Sequence, residues 1–307
     1  MDRMNLSTSS FSVFFIKLIL VICIVSIILN KFFENQIILK TEISGAFKIH
    51  KIAHKNLNGE IPIFGSSRAK TNFCSSLINN NTFNYGIDGI GSKVWLFFLE
   101  KELEKHKSTP IIINFDLNGF TNYIGDRSNY LTDYSISKLF INDDLIYRIP
   151  VIRYFGFYQS YLTDFIKYKL SYNYFIDKGG VHLNSEFNLK NFNFNINQRT
   201  QENDYFQKDT LQIRKFYSLI KFTTRPIYLV ISPYHESALN NFANLNEADI
   251  FLENIGKLDN LIVLDFRDID LKKEMFYNTT HLNHKGAKQF SQLLSDTLKS
   301  IDPENFN

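Results

Sequence analysis

A long apolar run near the N-terminus is the first pattern in the chain. Residues 11–29 read FSVFFIKLILVICIVSIIL, interrupted only by Lys17 and two serines. In a helix this run spans roughly 28 Å, about the thickness of the hydrocarbon core of a bilayer. A signal peptide usually ends in a small-x-small cleavage site, which the following NKFFENQ lacks, and a buried core helix usually has a polar face. We therefore predict one membrane-spanning helix, whose orientation is left open by Arg3, Lys31 and Lys40.

Five short apolar segments downstream have the length and composition of buried strands. They lie at 61–64, 83–87, 111–115, 227–231 and 261–264. Helical periodicity is found at 93–106 and at 286–300. The apolar stripe of the last helix comprises Ala287, Phe290, Leu293, Leu294 and Leu298. Because buried strands that alternate with helices are typical of a parallel sheet, we predict an α/β fold: a three-layer α/β/α, flavodoxin-like sandwich.

Between residues 120 and 222 this alternation breaks down. The segment is rich in Tyr, Phe, Asn and Asp and contains helical pieces at 136–145 and 158–170. We interpret it as an insertion or cap on the main domain, not as an independent domain. The predicted organisation is a membrane anchor at 1–31, a connector at 32–58 and a main domain at 59–303.

Composition and charge exclude some classes of function. The 307 residues carry a net charge of +3 with no run of five like charges, so no nucleic-acid footprint is present. Cys23 and Cys74 are the only cysteines, which excludes a Cys-based metal site. His281 and His284 lack a third ligand nearby and make a poor zinc signal. We predict neither a metal nor an organic cofactor.

A serine and a histidine occupy turns that a parallel sheet brings to one edge. Ser67 follows Gly65 directly after the first predicted strand, where loops gather above the carboxyl ends of the strands. His281 lies in a loop just before the last helix, where it is placed to accept the proton of the Ser67 hydroxyl. Asn278, three residues earlier, is placed to orient the imidazole. These residue types predict a nucleophile, a general base and its orienting group.

Backbone and amide donors follow the second and third predicted strands. Gly89 ends the turn after the second strand, and Asn118 closes the Asp116-Leu117-Asn118 segment after the third. With the Ser67 backbone N–H, these groups are predicted to form an oxyanion hole for a tetrahedral intermediate.

The order of these segments resembles the SGNH (GDSL-like) hydrolase superfamily, whose blocks supply Ser, Gly, Asn and His in that order. The matching blocks here are Gly65-Ser66-Ser67-Arg68, residues 84–89, residues 116–118 and residues 278–281. The Gly-Ser-Ser-Arg start and the His-Leu-Asn-x-x-Gly-Ala ending resemble a membrane-anchored bacterial branch, with relatives in alginate acetylation and in D-alanylation of teichoic acids. The resemblance covers roughly residues 60 to 300.

The resemblance implies a serine esterase or O-acyltransferase that removes or transfers O-acyl groups, with acetyl first, on a cell-envelope glycan. It also implies a single-pass protein of the cytoplasmic membrane with its main domain outside the cytoplasm. The expected partners are the acylated glycan, a membrane-bound O-acyltransferase and, through residues 11–29, the membrane.

The sequence departs from the family at two blocks. Asn278 stands where the family usually has Asp, and an amide cannot stabilise the imidazolium as a carboxylate does. The third block also lacks the usual Gly-x-Asn-Asp. A weak enzyme, an enzyme that borrows the carboxylate of Asp265 or Asp268, and an inactive accessory protein that binds a glycan or a membrane-bound O-acyltransferase all remain open.

Overall fold

The computed structural model describes residues 5–132, 134–141, 149, 153–170, 174–183 and 204–307. Its central sheet contains β1 (Ile61–Phe64), β2 (Thr82–Asn84), β3 (Ile111–Asn114), β8 (Ile227–Ile231) and β9 (Leu261–Asp265). The strands are all parallel, in the order β2-β1-β3-β8-β9. This is the strand order of flavodoxin-like sheets, so the predicted fold class is confirmed.

Two pairs of short strands lie outside this sheet. β4 (Gly119–Phe120) pairs with β7 (Gln207–Lys208) in parallel, and β5 (Tyr174–Asp177) forms an antiparallel hairpin with β6 (Gly180–Leu183). The β5–β6 hairpin packs on the helix that follows β1, where His182 Nδ1 lies 2.6 Å from the backbone oxygen of Thr71.

Helices cover both faces of the sheet. The described helices are α1 (Asn5–Gln36), α2 (Gly45–His54), α3 (Ser67–Asn72), α4 (Ser75–Ile78), α5 (Ser92–Leu103), α6 (Tyr134–Phe140), α7 (Tyr158–Leu170), α8 (Thr210–Lys221), α9 (Glu236–Leu239), α10 (Leu245–Ile255), α11 (His284–Ile301) and α12 (Pro303–Phe306). One layer contains α3, α4, α11 and α12, and the other contains α2, α5, α8 and α10. The central strands β1, β3 and β8 are largely apolar because both of their faces are buried.

The membrane-length run is the exposed part of α1. Its large apolar side chains between Phe11 and Leu29 are 43–68% exposed, and the helix is long and apolar enough to cross a membrane by length and composition. The end of α1 belongs to the folded domain, since Asn30 is buried and Phe33 contacts the rings of Tyr154, Tyr158 and Tyr161.

Some elements differ from their predicted bounds. Residues 32–58 include the end of α1 and α2, which buries Ala46, Ile49 and Ile52 in the core. Within 120–222, α7 has its predicted bounds, whereas α8 packs on α5 as a helix of the sandwich. The helix predicted at 136–145 is α6 as far as it is described. Leu293, predicted on the apolar stripe of α11, is 40% exposed because it lies at the solvent side of that stripe.

Candidate active site

Ser67 is presented by a tight turn at the carboxyl end of β1. Gly65 has φ = +145°, and a Cβ there would lie 2.9 Å from the backbone oxygen of Asn114, so only glycine fits. Ser66 is the N-cap of α3 and accepts a hydrogen bond from the N–H of Arg68 at 3.3 Å. Because Ser66 fills the capping role, the half-buried Ser67 has its hydroxyl available for other contacts.

His281 is held on a short turn before α11. The strand-like bridge between Phe276 and Leu282 closes this turn, and the Leu282 N–H donates to Asn72 Oδ1 of α3 at 3.0 Å. The turn is thereby tied to the helix that carries Ser67. As a result, Ser67 Oγ and His281 Nε2 lie 2.9 Å apart, which is hydrogen-bonding distance for a nucleophile and its base.

Asn278 orients the imidazole through its side-chain oxygen. Asn278 Oδ1 accepts the backbone N–H groups of Thr280 at 2.9 Å and His281 at 2.8 Å, and it lies 3.0 Å from His281 Nδ1. Two backbone donors fix this atom as the oxygen of the amide, so it accepts from a protonated Nδ1. The Nε2 lone pair then faces Ser67, as a general base requires. Thr280 Oγ1, 3.1 Å from Nδ1, is a second neighbour that the sequence did not indicate.

A cavity of about 330 Å³ opens in front of the Ser67–His281 pair. Its lining comprises Ile43, Ser67, Lys70, Thr71, Asp88, Asp164, Lys167, Val181, Leu183, Tyr277, Asn278 and His281. Six segments thus meet at this point: the segment before α2, α3, the turn after β2, α7, β6 and the turn before α11. The lining includes the aliphatic side chains of Ile43, Val181 and Leu183 together with charged side chains of both signs.

The charged side chains of the cavity perturb one another. Lys70 Nζ lies 2.6 Å from Asp88 Oδ2. Desolvation raises the pKa of Asp88, but the positive charges of Lys70, Lys48 and a protonated His281 outweigh it, so that pKa lies below its usual value. Burial raises the pKa of Asp164, and the charge of Lys70 opposes that rise only in part. Of these two carboxyl groups, Asp88 is the one whose pKa favours the ionised form beside the Ser67–His281 pair.

Arg68 braces the Ser67 turn from below. It is 4% exposed, and its Nη2 donates to the backbone oxygens of Ser232 at 2.6 Å and Pro233 at 3.0 Å. Its guanidinium lies 3.3 Å from the ring centre of Tyr234, a cation–π contact. Asp116 accepts a hydrogen bond from Ser66 on the same turn. Arg68 therefore supports the Ser67 turn, and it is Lys70 that lines the cavity.

Two predicted oxyanion groups lie elsewhere. Gly89 is exposed with φ = +63°, and the backbone oxygen of Asn118 accepts from Gln207 N at 2.9 Å where β4 begins. Neither Gly89 nor Asn118 is among the described residues that line the cavity. The oxyanion roles of Gly89, Asn118 and the Ser67 N–H therefore stay predictions.

Asp265 and Asp268, the carboxylates predicted to replace the missing one, do not line the cavity of the Ser67–His281 pair. Asp265 accepts from Arg267 Nε at 2.8 Å, and Asp268 lines a different cavity together with Arg267 and His235. The described carboxylates around the Ser67 cavity are Asp88 and Asp164 instead. Lys70 and Thr71 were detectable from their spacing of one helical turn after Ser67, whereas Asp164 and Lys167 come from the inserted segment and carried no motif.

Comparison with known proteins adds little to this geometry. No family model and no curated protein matches the sequence. A solved structure described as "a putative platelet activating factor" from Streptococcus pneumonia aligns with 88% of this chain and 96% of its own, at 13% identity and a TM-score of 0.42. A likeness at that level assigns no activity to the chain.

Proposed function

We propose that this protein is a membrane-anchored serine esterase or O-acyltransferase of the SGNH type. The observation that carries the proposal is the 2.9 Å contact between Ser67 Oγ and His281 Nε2 inside a cavity that reaches the surface. A serine hydroxyl next to an imidazole whose other nitrogen is oriented by Asn278 is the arrangement expected of a nucleophile and its base, not of an ordinary surface serine.

The proposed reaction proceeds through an acyl-enzyme. His281 Nε2 accepts the Ser67 proton as Oγ attacks the acyl carbonyl, giving a tetrahedral intermediate. His281 then gives that proton to the departing alcohol oxygen, and Ser67 keeps the acyl group. Water yields hydrolysis and a sugar hydroxyl yields transfer, with His281 again acting as base. Gly89, Asn118 and the Ser67 N–H are proposed to stabilise the oxyanion, which requires movement of the loops that carry Gly89 and Asn118 toward the cavity.

The substrate we propose is an O-acylated glycan of the cell envelope, with acetyl as the first acyl group to test. The small cavity, near the lower end of the range for ligand sites, fits a short acyl chain in contact with its aliphatic side chains. Its charged and polar side chains fit a hydrophilic alcohol. The glycan and a membrane-bound O-acyltransferase partner rest on the resemblance of the motifs. So does an extracytoplasmic main domain held at the membrane by residues 11–29.

An accessory protein without catalysis is the second candidate. The observation that favours it is Asn278, since the imidazolium formed during acyl transfer has no carboxylate at Nδ1. Such a protein would use the same cavity to bind an acylated glycan or a membrane-bound O-acyltransferase.

Labelling with a fluorophosphonate probe separates the two candidates. We expect the full-length protein in detergent to be labelled, and Ser67→Ala to abolish labelling. His281→Gln should slow it by about 10²–10⁴-fold, since the general base is lost. Ser300→Ala, an exposed serine at the end of α11, is the matched control and should label like the wild type. Folded wild-type protein that stays unlabelled would favour the accessory role.

A further inference from the structure

An exposed apolar stripe runs along α7. Leu162, Ile166 and Leu170 follow one another at intervals of four residues and are 45%, 47% and 69% exposed. Phe155, in the turn before the helix, is 79% exposed. Single exposed apolar residues are common, but three that are aligned on one helix, with a fourth just before it, mark a surface that meets another apolar phase.

The start of α7 lies at the end of the membrane-length part of α1. Asn30 directly follows the exposed apolar run, and its Oδ1 accepts a hydrogen bond from Tyr158 Oη at 2.5 Å. The rings of Phe33 and Tyr158 lie 5.0 Å apart in an edge-to-face contact. If residues 11–29 span the bilayer, Tyr158 lies at the level of the headgroups, where Tyr is favoured. The stripe of α7 is therefore continuous with the proposed membrane contact.

The charges on α7 fit the surface of a bilayer. Lys167 is exposed beside the stripe, and Lys169 is exposed one residue before Leu170. An apolar stripe flanked by lysines is the pattern of helices that lie in the interface and are attracted by anionic headgroups. The border of the stripe at Lys167 also reaches the cavity of Ser67, to which Lys167 and Asp164 contribute.

We propose that Phe155 and the Leu162–Ile166–Leu170 stripe rest on the surface of an anionic bilayer and hold the catalytic cavity beside the membrane. The inference rests on the proposed membrane anchor and is independent of whether Ser67 is a nucleophile. It implies that the cavity meets its ester or its acyl acceptor on a molecule carried at the membrane surface. A soluble polymer would not need this arrangement.

The test measures the depth of α7 with a fluorescent label in the full-length chain. Ile166→Cys and Leu170→Cys are labelled separately with an environment-sensitive dye, in a Cys23→Ser background. Cys74 remains, because it is 1% exposed and burial raises the pKa of its thiol to about 12, so it does not react. The protein is reconstituted in vesicles of phosphatidylcholine and phosphatidylglycerol that contain lipids with a nitroxide near the headgroup. Lys257→Cys, an exposed position beside the opposite edge strand β9, is the matched control.

We expect lipid nitroxides to quench the labels at 166 and 170 more strongly than the label at 257, with a blue shift of emission at the first two positions. Replacing phosphatidylglycerol by phosphatidylcholine should reduce that difference. Equal quenching at the three positions would overturn the proposal. Labels at 166 and 170 that are shielded both from lipid nitroxides and from aqueous iodide would also overturn it, since a protein partner would then cover the stripe. Neither readout uses the activity, so failure here is distinct from failure of the proposed esterase.

Discussion

At the scale of single residues, Asn278 provides a well-placed hydrogen-bond acceptor but is neutral, where the family usually has a negatively charged Asp. Its Oδ1 is within 3.0 Å of Thr280 N, His281 N and His281 Nδ1, an environment that would also solvate a carboxylate. The carboxylate of Asp88 lies in the same cavity, but Lys70 already holds it at 2.6 Å. The geometry of a catalytic triad is therefore present without its anion, which makes the charge at position 278 separable from the structure around it.

Asn278→Asp is the substitution that isolates this charge. We expect the rate of fluorophosphonate labelling at Ser67 to rise at least about tenfold, because a carboxylate stabilises the imidazolium; the reverse change in a serine-protease triad lowers kcat about 10⁴-fold and sets the upper limit. The measurement is the time course of labelling by gel fluorescence. Asn278→Leu, which removes the acceptor, should label more slowly than the wild type. Equal rates for Asp and Asn would mean that the imidazole is not the base.

His182 is a second residue whose protonation matters, here for stability. It is fully buried beneath α3, and burial lowers the pKa of its imidazole to about 4. The unfolded chain therefore binds this proton first as the pH falls below about 6.5. The contribution of His182 to the free energy of unfolding is fully present above that pH. It falls by on the order of 3 kcal/mol as the pH drops toward 4.

Comparison with His182→Asn isolates this contribution, since Asn can still donate to Thr71 O but does not titrate. The difference in free energy of unfolding between wild type and variant should shrink between pH 7 and pH 4, as measured by denaturant titration in detergent. His106→Asn, a substitution at an exposed histidine, is the matched control. If the difference in free energy of unfolding between the wild type and His182→Asn stays constant with pH, His182 is not a neutral, buried histidine.

At the scale of elements, the sequence was informative where an element is buried on both faces. The strands β1 and β8 are apolar runs that are buried along their whole length, so their positions followed from pattern alone. Ser67 and His281 followed from them, because loops at the carboxyl ends of parallel strands share one edge. The position of α7 in the fold could not be predicted from the sequence pattern. Its packing depends on Phe33 of α1, more than 120 residues away, and no local pattern encodes that contact. Asp164 and Lys167 were missed for the same reason.

The loop after β2 shows how closely two elements approach at the candidate site. A Cβ on Gly86 would lie 2.4 Å from the backbone nitrogen of Lys70, one turn after Ser67. Gly86→Ala should therefore displace α3, destabilise the fold by about 1–3 kcal/mol and slow labelling of Ser67. Gly59→Ala is the matched control: its φ is +84° but no atom lies within 4 Å, so it should cost only about 1 kcal/mol and leave labelling unchanged. The two are compared by thermal unfolding and labelling rate.

At the scale of the whole molecule, the membrane-length helix α1 and the Ser67 cavity share one structural unit. Phe33 near the end of α1 packs on Tyr154, Tyr158 and Tyr161, and α7 carries the last two of these together with the cavity residue Asp164. An anchor that served only as a tether would have no such contacts. The packing predicts that the position of α7, and with it one wall of the cavity, depends on α1.

Phe33→Ala and Phe32→Ala test this dependence with neighbouring residues of the same type. Phe32 is 63% exposed and makes no described ring contact, whereas Phe33 is packed against three tyrosines. Loss of the Phe33 ring should cost about 2 kcal/mol, lower Tm by roughly 4–8 °C and speed amide hydrogen exchange in α7. Phe32→Ala should change neither quantity. If exchange in α7 is the same in both variants, α1 does not support the cavity, which is then set by the rest of the chain. If exchange rises only in Phe33→Ala, the membrane-length helix α1 is part of the candidate active site.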